Sequence, residues 1–102
     1  MIELKKGRSL FSHGVTLSPD ADTTIKLEQS TIGLDNNYFA VVNDSQDSFQ
    51  IAFGGIGDND EPIYPDDYFT IHANGNYEIP PAAFSMNIKV WLRGSGRVVL
   101  IY

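Results

Sequence analysis

The chain contains no cysteine, which excludes disulfides, thiolate metal sites and cysteine nucleophiles. Its stability must come from packing or from assembly with other chains. No run approaches the roughly 18 apolar residues of a membrane span, so no membrane partner is expected. Apolar residues nowhere recur at helical spacing over the length of a helix. Histidine is scarce: His13 and His72 are too few for a multi-histidine metal site without help from carboxylates. After the early basic residues Lys5, Lys6 and Arg8 there is no apolar block of signal-peptide length, so synthesis and folding in a cytoplasm are expected.

Basic residues are absent from the middle of the chain. No lysine or arginine lies between Lys26 and Lys89, whereas that stretch holds ten acids. The middle therefore carries −10 and the two ends +4, within a net charge of −6. An acidic middle repels phosphate backbones and argues against nucleic acid as a partner. Segregated charge can instead orient one protein against another. With 102 residues, 42% of them hydrophobic, the chain has the size and composition of one soluble domain with one core. That domain spans residues 1–102, with 1–14 read as an N-terminal arm or a first edge strand.

What is present is a succession of short runs rich in β-branched and aromatic residues. Val15-Thr16-Leu17 is a short piece before Ser18-Pro19-Asp20, and Thr23–Glu28 alternates as a half-buried strand. Tyr38–Val42 is apolar throughout and reads as a buried strand, and Ser48–Phe53 places Phe49, Ile51 and Phe53 on one face. These two are expected to pair across the Asn43–Asp47 turn. Tyr68–His72 and Asn76–Ile79 flank Asn74-Gly75, a strong two-residue hairpin signal. Turn signals about every ten residues predict an all-β fold: a single antiparallel β-sandwich or jelly-roll-like barrel of seven to eight short strands.

The closing stretch is the most informative. Ile88–Arg93 and Arg97–Tyr102 flank Gly94-Ser95-Gly96, which predicts a hairpin centred on Ser95. One face would pair Leu92 with Val98, Val90 with Leu100 and Ile88 with Tyr102, and so floor a core. The other would pair Arg93 with Arg97, Trp91 with Val99 and Lys89 with Ile101. That second face is too apolar for open water, so another part of the chain or another subunit is expected to cover it. Trp91, Val99, Ile101, Arg93 and Arg97 are therefore the candidate interface residues.

No catalytic constellation is assigned and no cofactor or metal is expected. Gly57-Asp58-Asn59-Asp60-Glu61 is rich in oxygen ligands but lacks the spacing of an EF-hand loop, and reads as a solvated loop. Ser12, His13 and Asp20 supply the residue types of a triad, which geometry alone can establish. Asp66-Asp67 are neighbours on a turn rather than a pair across a groove. Asn43-Asp44-Ser45 matches a glycosylation sequon but reads as turn chemistry. Trp91, Tyr38, Tyr64, Tyr68 and Tyr77 would form a stacking platform if they shared a surface. That is the basis of an alternative expectation, a carbohydrate- or receptor-binding module.

The order of hydrophobic strand, asparagine turn, strand, glycine-rich loop, proline turn, strand and closing valine-rich strand runs from residue 38 to 102. It is carried by Phe39-Ala40-Val41-Val42-Asn43, Gln50–Gly55, Pro62-Ile63-Tyr64-Pro65, Tyr77–Pro80 and Gly96–Tyr102. This pattern resembles small β-sandwich virion proteins of tailed bacteriophages, of the head-decoration (cement) and fibre-base types. It departs from them at Asp66, where those proteins usually carry glycine after the turn proline. The resemblance implies a non-enzymatic structural role in the virion. It implies a homo-oligomer, commonly a trimer, bound to the phage capsid or another virion protein. Arg93 and Arg97, near one another at a hairpin tip, would dock on an acidic shell.

Overall fold

The computed structural model of the chain describes residues 2–5, 10–28, 38–56, 68–80 and 88–102. The described residues form nine strands: β1 (Ile2–Lys5), β2 (Ser12–Leu17), β3 (Thr23–Glu28), β4 (Phe39–Asn43), β5 (Phe49–Ile56), β6 (Phe69–Ile71), β7 (Asn76–Ile79), β8 (Ile88–Gly94) and β9 (Gly96–Ile101). They make a five-stranded sheet in the order β1-β3-β8-β5-β6 and a four-stranded sheet in the order β2-β9-β4-β7. All neighbours are antiparallel except β1 and β3, which run parallel. Ile2–Lys5, in the segment read as an arm or edge strand, is thus the edge of a mixed sheet.

The pairing is nested. β2 pairs with β9, β3 with β8, β4 with β7 and β5 with β6. Four strand pairs rolled about a common core in this way are a jelly roll, with β1 added at one edge. The expected all-β sandwich is therefore present, but the expected hairpins are not. β4 and β5, β6 and β7, and β8 and β9 each fall in opposite sheets. The turns at Asn43–Asp47, Asn74-Gly75 and Gly94-Ser95-Gly96 are corners that carry the chain from one sheet to the other. In particular, β8 pairs with β3 and β5, so the predicted Leu92–Val98 ladder does not exist. Leu92, Val90, Val98 and Leu100 still share the core, but they belong to the two opposed sheets rather than to one.

Period-two alternation decides what the core contains. Ile25, Phe49, Ile51, Val90 and Leu92 point inward from the five-stranded sheet and are buried. Leu17, Phe39, Val41, Ile79, Val98 and Leu100 do so from the four-stranded sheet. One open side of the sandwich is closed by aromatic rings. Phe69 on edge strand β6 meets Tyr77 on edge strand β7 at 5.1 Å in an edge-on arrangement, with Phe53 stacked on Phe69 at 6.2 Å. The other side carries Phe11 against Tyr102 at 5.9 Å.

Among the described residues two polar side chains are buried: Lys89, on the outward phase of β8, and Asn43, which enters the core. Asn43 continues the inward phase of Phe39 and Val41 and is 2% exposed. Its Nδ2 donates to the carbonyls of Asp47 at 2.8 Å, His72 at 3.1 Å and Ile71 at 3.3 Å. Its Oδ1 accepts from the Ser45 amide and hydroxyl. The side chain thereby ties the β4–β5 corner to the β6–β7 corner. The same arrangement answers the sequon, because a glycan on this nitrogen has no route to solvent. Ser45 also fixes the third corner. Gly96 has φ +93°, and a Cβ there would lie 2.6 Å from the Ser45 hydroxyl, so only glycine fits.

Asn43→Ala removes the bonds that join the two corners, although the Gly75 amide still donates to His72 and the Ser45 hydroxyl to Asp47, and should cost about 1–3 kcal/mol in urea unfolding. Gly96→Ala combines an unfavourable φ with the Ser45 contact and should cost on the order of 1–3 kcal/mol by the same measurement.

Candidate binding surfaces

The five residues predicted as an interface fall on two surfaces. Trp91 and Arg93 alternate with inward Val90 and Leu92, so they lie on the outer face of the five-stranded sheet. Arg97, Val99 and Ile101 alternate with inward Val98 and Leu100 on the outer face of the four-stranded sheet. Because β8 and β9 belong to opposite sheets, these faces look away from each other. Arg97, Val99 and Ile101 share a surface; Trp91 and Arg93 do not belong to it.

On the five-stranded face, Trp91 lies between Thr24 and Ala52 in register. It is 7% exposed, and its indole N–H donates to the Gly54 carbonyl at 3.3 Å. The cover expected for Trp91 is therefore supplied within the chain. Beside it, Asp22, Arg93 and Tyr68 form a cluster whose members are far apart in sequence. The Arg93 guanidinium lies 3.8 Å from the Tyr68 ring centroid and its Nε donates to Asp22 Oδ1 at 3.3 Å. The Tyr68 hydroxyl donates to Asp22 Oδ2 at 2.8 Å. Asp22 thus accepts from both partners, and its hydrogen bond helps hold Arg93 charged. Sequence spacing gave no sign of this cluster.

On the four-stranded face, three rows cross the sheet. Ile101, Ala40 and Glu78 form one, and Gly14, Val99, Val42 and Asn76 the next. Thr16 and Arg97 lead the third, in which Arg97 is paired with Asp44. Ala40 is buried, while Val42, Val99 and Ile101 are half-buried. This apolar strip is bounded by the Arg97–Asp44 pair at one end and Glu78 at the other. Tyr38 donates its hydroxyl to Glu78 at 3.3 Å. Arg93 and Arg97, expected near one another at a hairpin tip, lie on opposite faces, and each is paired with its own carboxylate.

The other sequence candidates are not assembled. Ser12 and His13 are adjacent on β2 and point to opposite faces, and Asp20 lies in the turn beyond the far end of that strand. His72 is exposed at the β6–β7 corner. Among the described residues no three histidine, aspartate or glutamate side chains are grouped to hold a metal ion. Of the proposed aromatic platform, Trp91 and Tyr68 lie on the five-stranded sheet, and Tyr77 points inward against the core. Tyr38 is on the other outer face. Tyr64, the 57–61 acid run and Asp66-Asp67 lie outside the described residues. No protein-family model matches the chain, and comparison with curated proteins and with solved structures yields no match either.

Partial burial, and then the hydrogen bond to Asp22, push the Tyr68 phenol up to about 12 from an ordinary 10.0. The folded chain holds this proton more tightly than the unfolded chain. The associated stability is therefore complete below pH 10 and is lost as pH rises towards 12. The stability advantage of the wild type over Tyr68→Phe should accordingly shrink across that window in urea titrations. A difference independent of pH would show that the Asp22 bond does not favour the neutral phenol.

Proposed function

We propose that the chain is a non-enzymatic structural protein of a phage virion, of the capsid decoration or cement kind, which self-associates and binds the shell. The observation that carries this reading is the apolar strip of Val42, Val99 and Ile101 on the outer face of the four-stranded sheet. A solvated sheet face alternates to polar residues; this one keeps β-branched carbons in its centre with an ion pair at its rim. Such a surface suits a broad, flat protein partner better than a small molecule. The jelly-roll frame supports the reading as a frame that viral shell proteins use, although lectins and cupins use it too. The acidic middle, which disfavours nucleic acid, points the same way.

Val99→Glu with Ile101→Glu places two charges in the strip while leaving the inward residues untouched. The double variant should keep the wild-type β spectrum by circular dichroism and fail to co-sediment with purified shells of the encoding phage. Undiminished co-sedimentation would remove the strip from the docking surface, and absence of binding by the wild type would remove the shell partner.

A further inference from the structure

A sheet edge is a row of unpaired main-chain donors and acceptors, and folded proteins guard it with short strands, charges or proline. Among the described strands, three of the four edges are guarded. β1 has four residues and includes Glu3. β6 has three residues, and β7 has four, with Glu78 inside and Pro80 following. β2 differs: six residues, Ser12–Leu17, hold no acid, lysine, arginine or proline.

The hydrogen-bond phase says which atoms this edge presents. Phe11 and Tyr102 exchange both main-chain bonds, at 2.6 and 3.0 Å. Opposed residues in an antiparallel pair alternate between bonded and non-bonded, so His13, Val15 and Leu17 bond to β9. Ser12, Gly14 and Thr16 then turn their N–H and C=O groups away from β9, and all three are exposed. Leu10 and Phe11, at 65% and 53% exposure, extend the same edge.

We infer that β2 is a strand-addition edge whose occupant is the β2 strand of a second copy, paired antiparallel across a two-fold axis at Gly14. That register sets Gly14 opposite Gly14, Ser12 opposite Thr16 and His13 opposite Val15 of the second copy. It brings Phe11 opposite Leu17, and supplies about six main-chain hydrogen bonds from the three outward residues. Two-fold pairing puts every charge of a strand near its own like. A β7 pair would set Glu78 close to its counterpart, whereas β2 has no charge to repel itself. The Arg97 guanidinium, which lies over Gly14, brings Asp44 as its counter-ion. The result is one continuous eight-stranded sheet whose outer face carries two copies of the Val99–Ile101 strip. This assigns a site to the self-association proposed above and rests on that reading only for the self-association itself.

The test is light scattering of the wild type and of Ser12→Lys with Thr16→Lys, which sets like charges opposite in both halves of the pair. The wild type should have a mass near twice 11.3 kDa, and the double variant near 11.3 kDa with an unchanged circular dichroism spectrum. In the wild type alone, the amides of Ser12, Gly14 and Thr16 should be protected from hydrogen exchange. A wild-type monomer, or an oligomer unmoved by the two lysines, overturns the pairing. A monomer that still co-sediments with shells overturns it while leaving the virion reading standing. A dimer sensitive to the lysines that binds no shell sustains the pairing and overturns the virion reading.

Discussion

The fold depends on one buried amide. A jelly roll must turn its chain from sheet to sheet at successive corners, and there main-chain carbonyls leave the ladder whose N–H groups would donate to them. Asn43 donates to carbonyls of two corners at once, while its own carbonyl oxygen orders Ser45. Ser45 in turn leaves room only for a glycine at position 96. Three sheet-to-sheet crossings therefore converge on one side chain. An apolar residue of similar volume would fill the space and lose the bonds that join one corner to the other.

The nested pairing also explains why the surfaces are arranged as they are. Apart from β5 and β6, consecutive strands separate into opposite sheets, so residues close in sequence can finish on opposite sides of the molecule. Trp91 and Val99, eight positions apart, face away from each other. Residues distant in sequence meet instead: Tyr68, Arg93 and Asp22 come from three strands or strand ends of one sheet. The two outer faces differ in character. The five-stranded face has Trp91 and Ala52 buried and a saturated Asp22–Arg93–Tyr68 cluster beside them. The four-stranded face keeps half-buried valine and isoleucine at its centre.

Strand positions and their inward sets were legible in the sequence, because alternation is a local property. Phe49 and Ile51, Val90 and Leu92, and Val98 and Leu100 are buried as their phase implies. Sheet membership was not legible. The residues that make a tight hairpin, Asn-Gly and Gly-Ser-Gly, also make a corner, since both need positive φ and small side chains; Asn74 adopts φ 61° in such a corner. What separates the two outcomes is the distant partner of each strand, on which turn chemistry is silent. Asn43 could have been placed inside from its phase with Phe39 and Val41, although its turn propensity pointed outward. Asp22, Tyr68 and Arg93 had no such signal, as no spacing rule links three residues brought together by separate strands.

The place of β9 has a consequence for the order in which the molecule can form. It lies between β2 and β4, and β8 lies between β3 and β5. As the chain emerges from a ribosome, the strands made early wait for central partners that are made last. Until residues 88–101 arrive, neither sheet has its middle, and β2 is bare along both edges. The uncharged strand is then at its most adhesive. Closure of the longest loops, which brings β9 between β2 and β4 and β8 between β3 and β5, then sets how fast both sheets are completed.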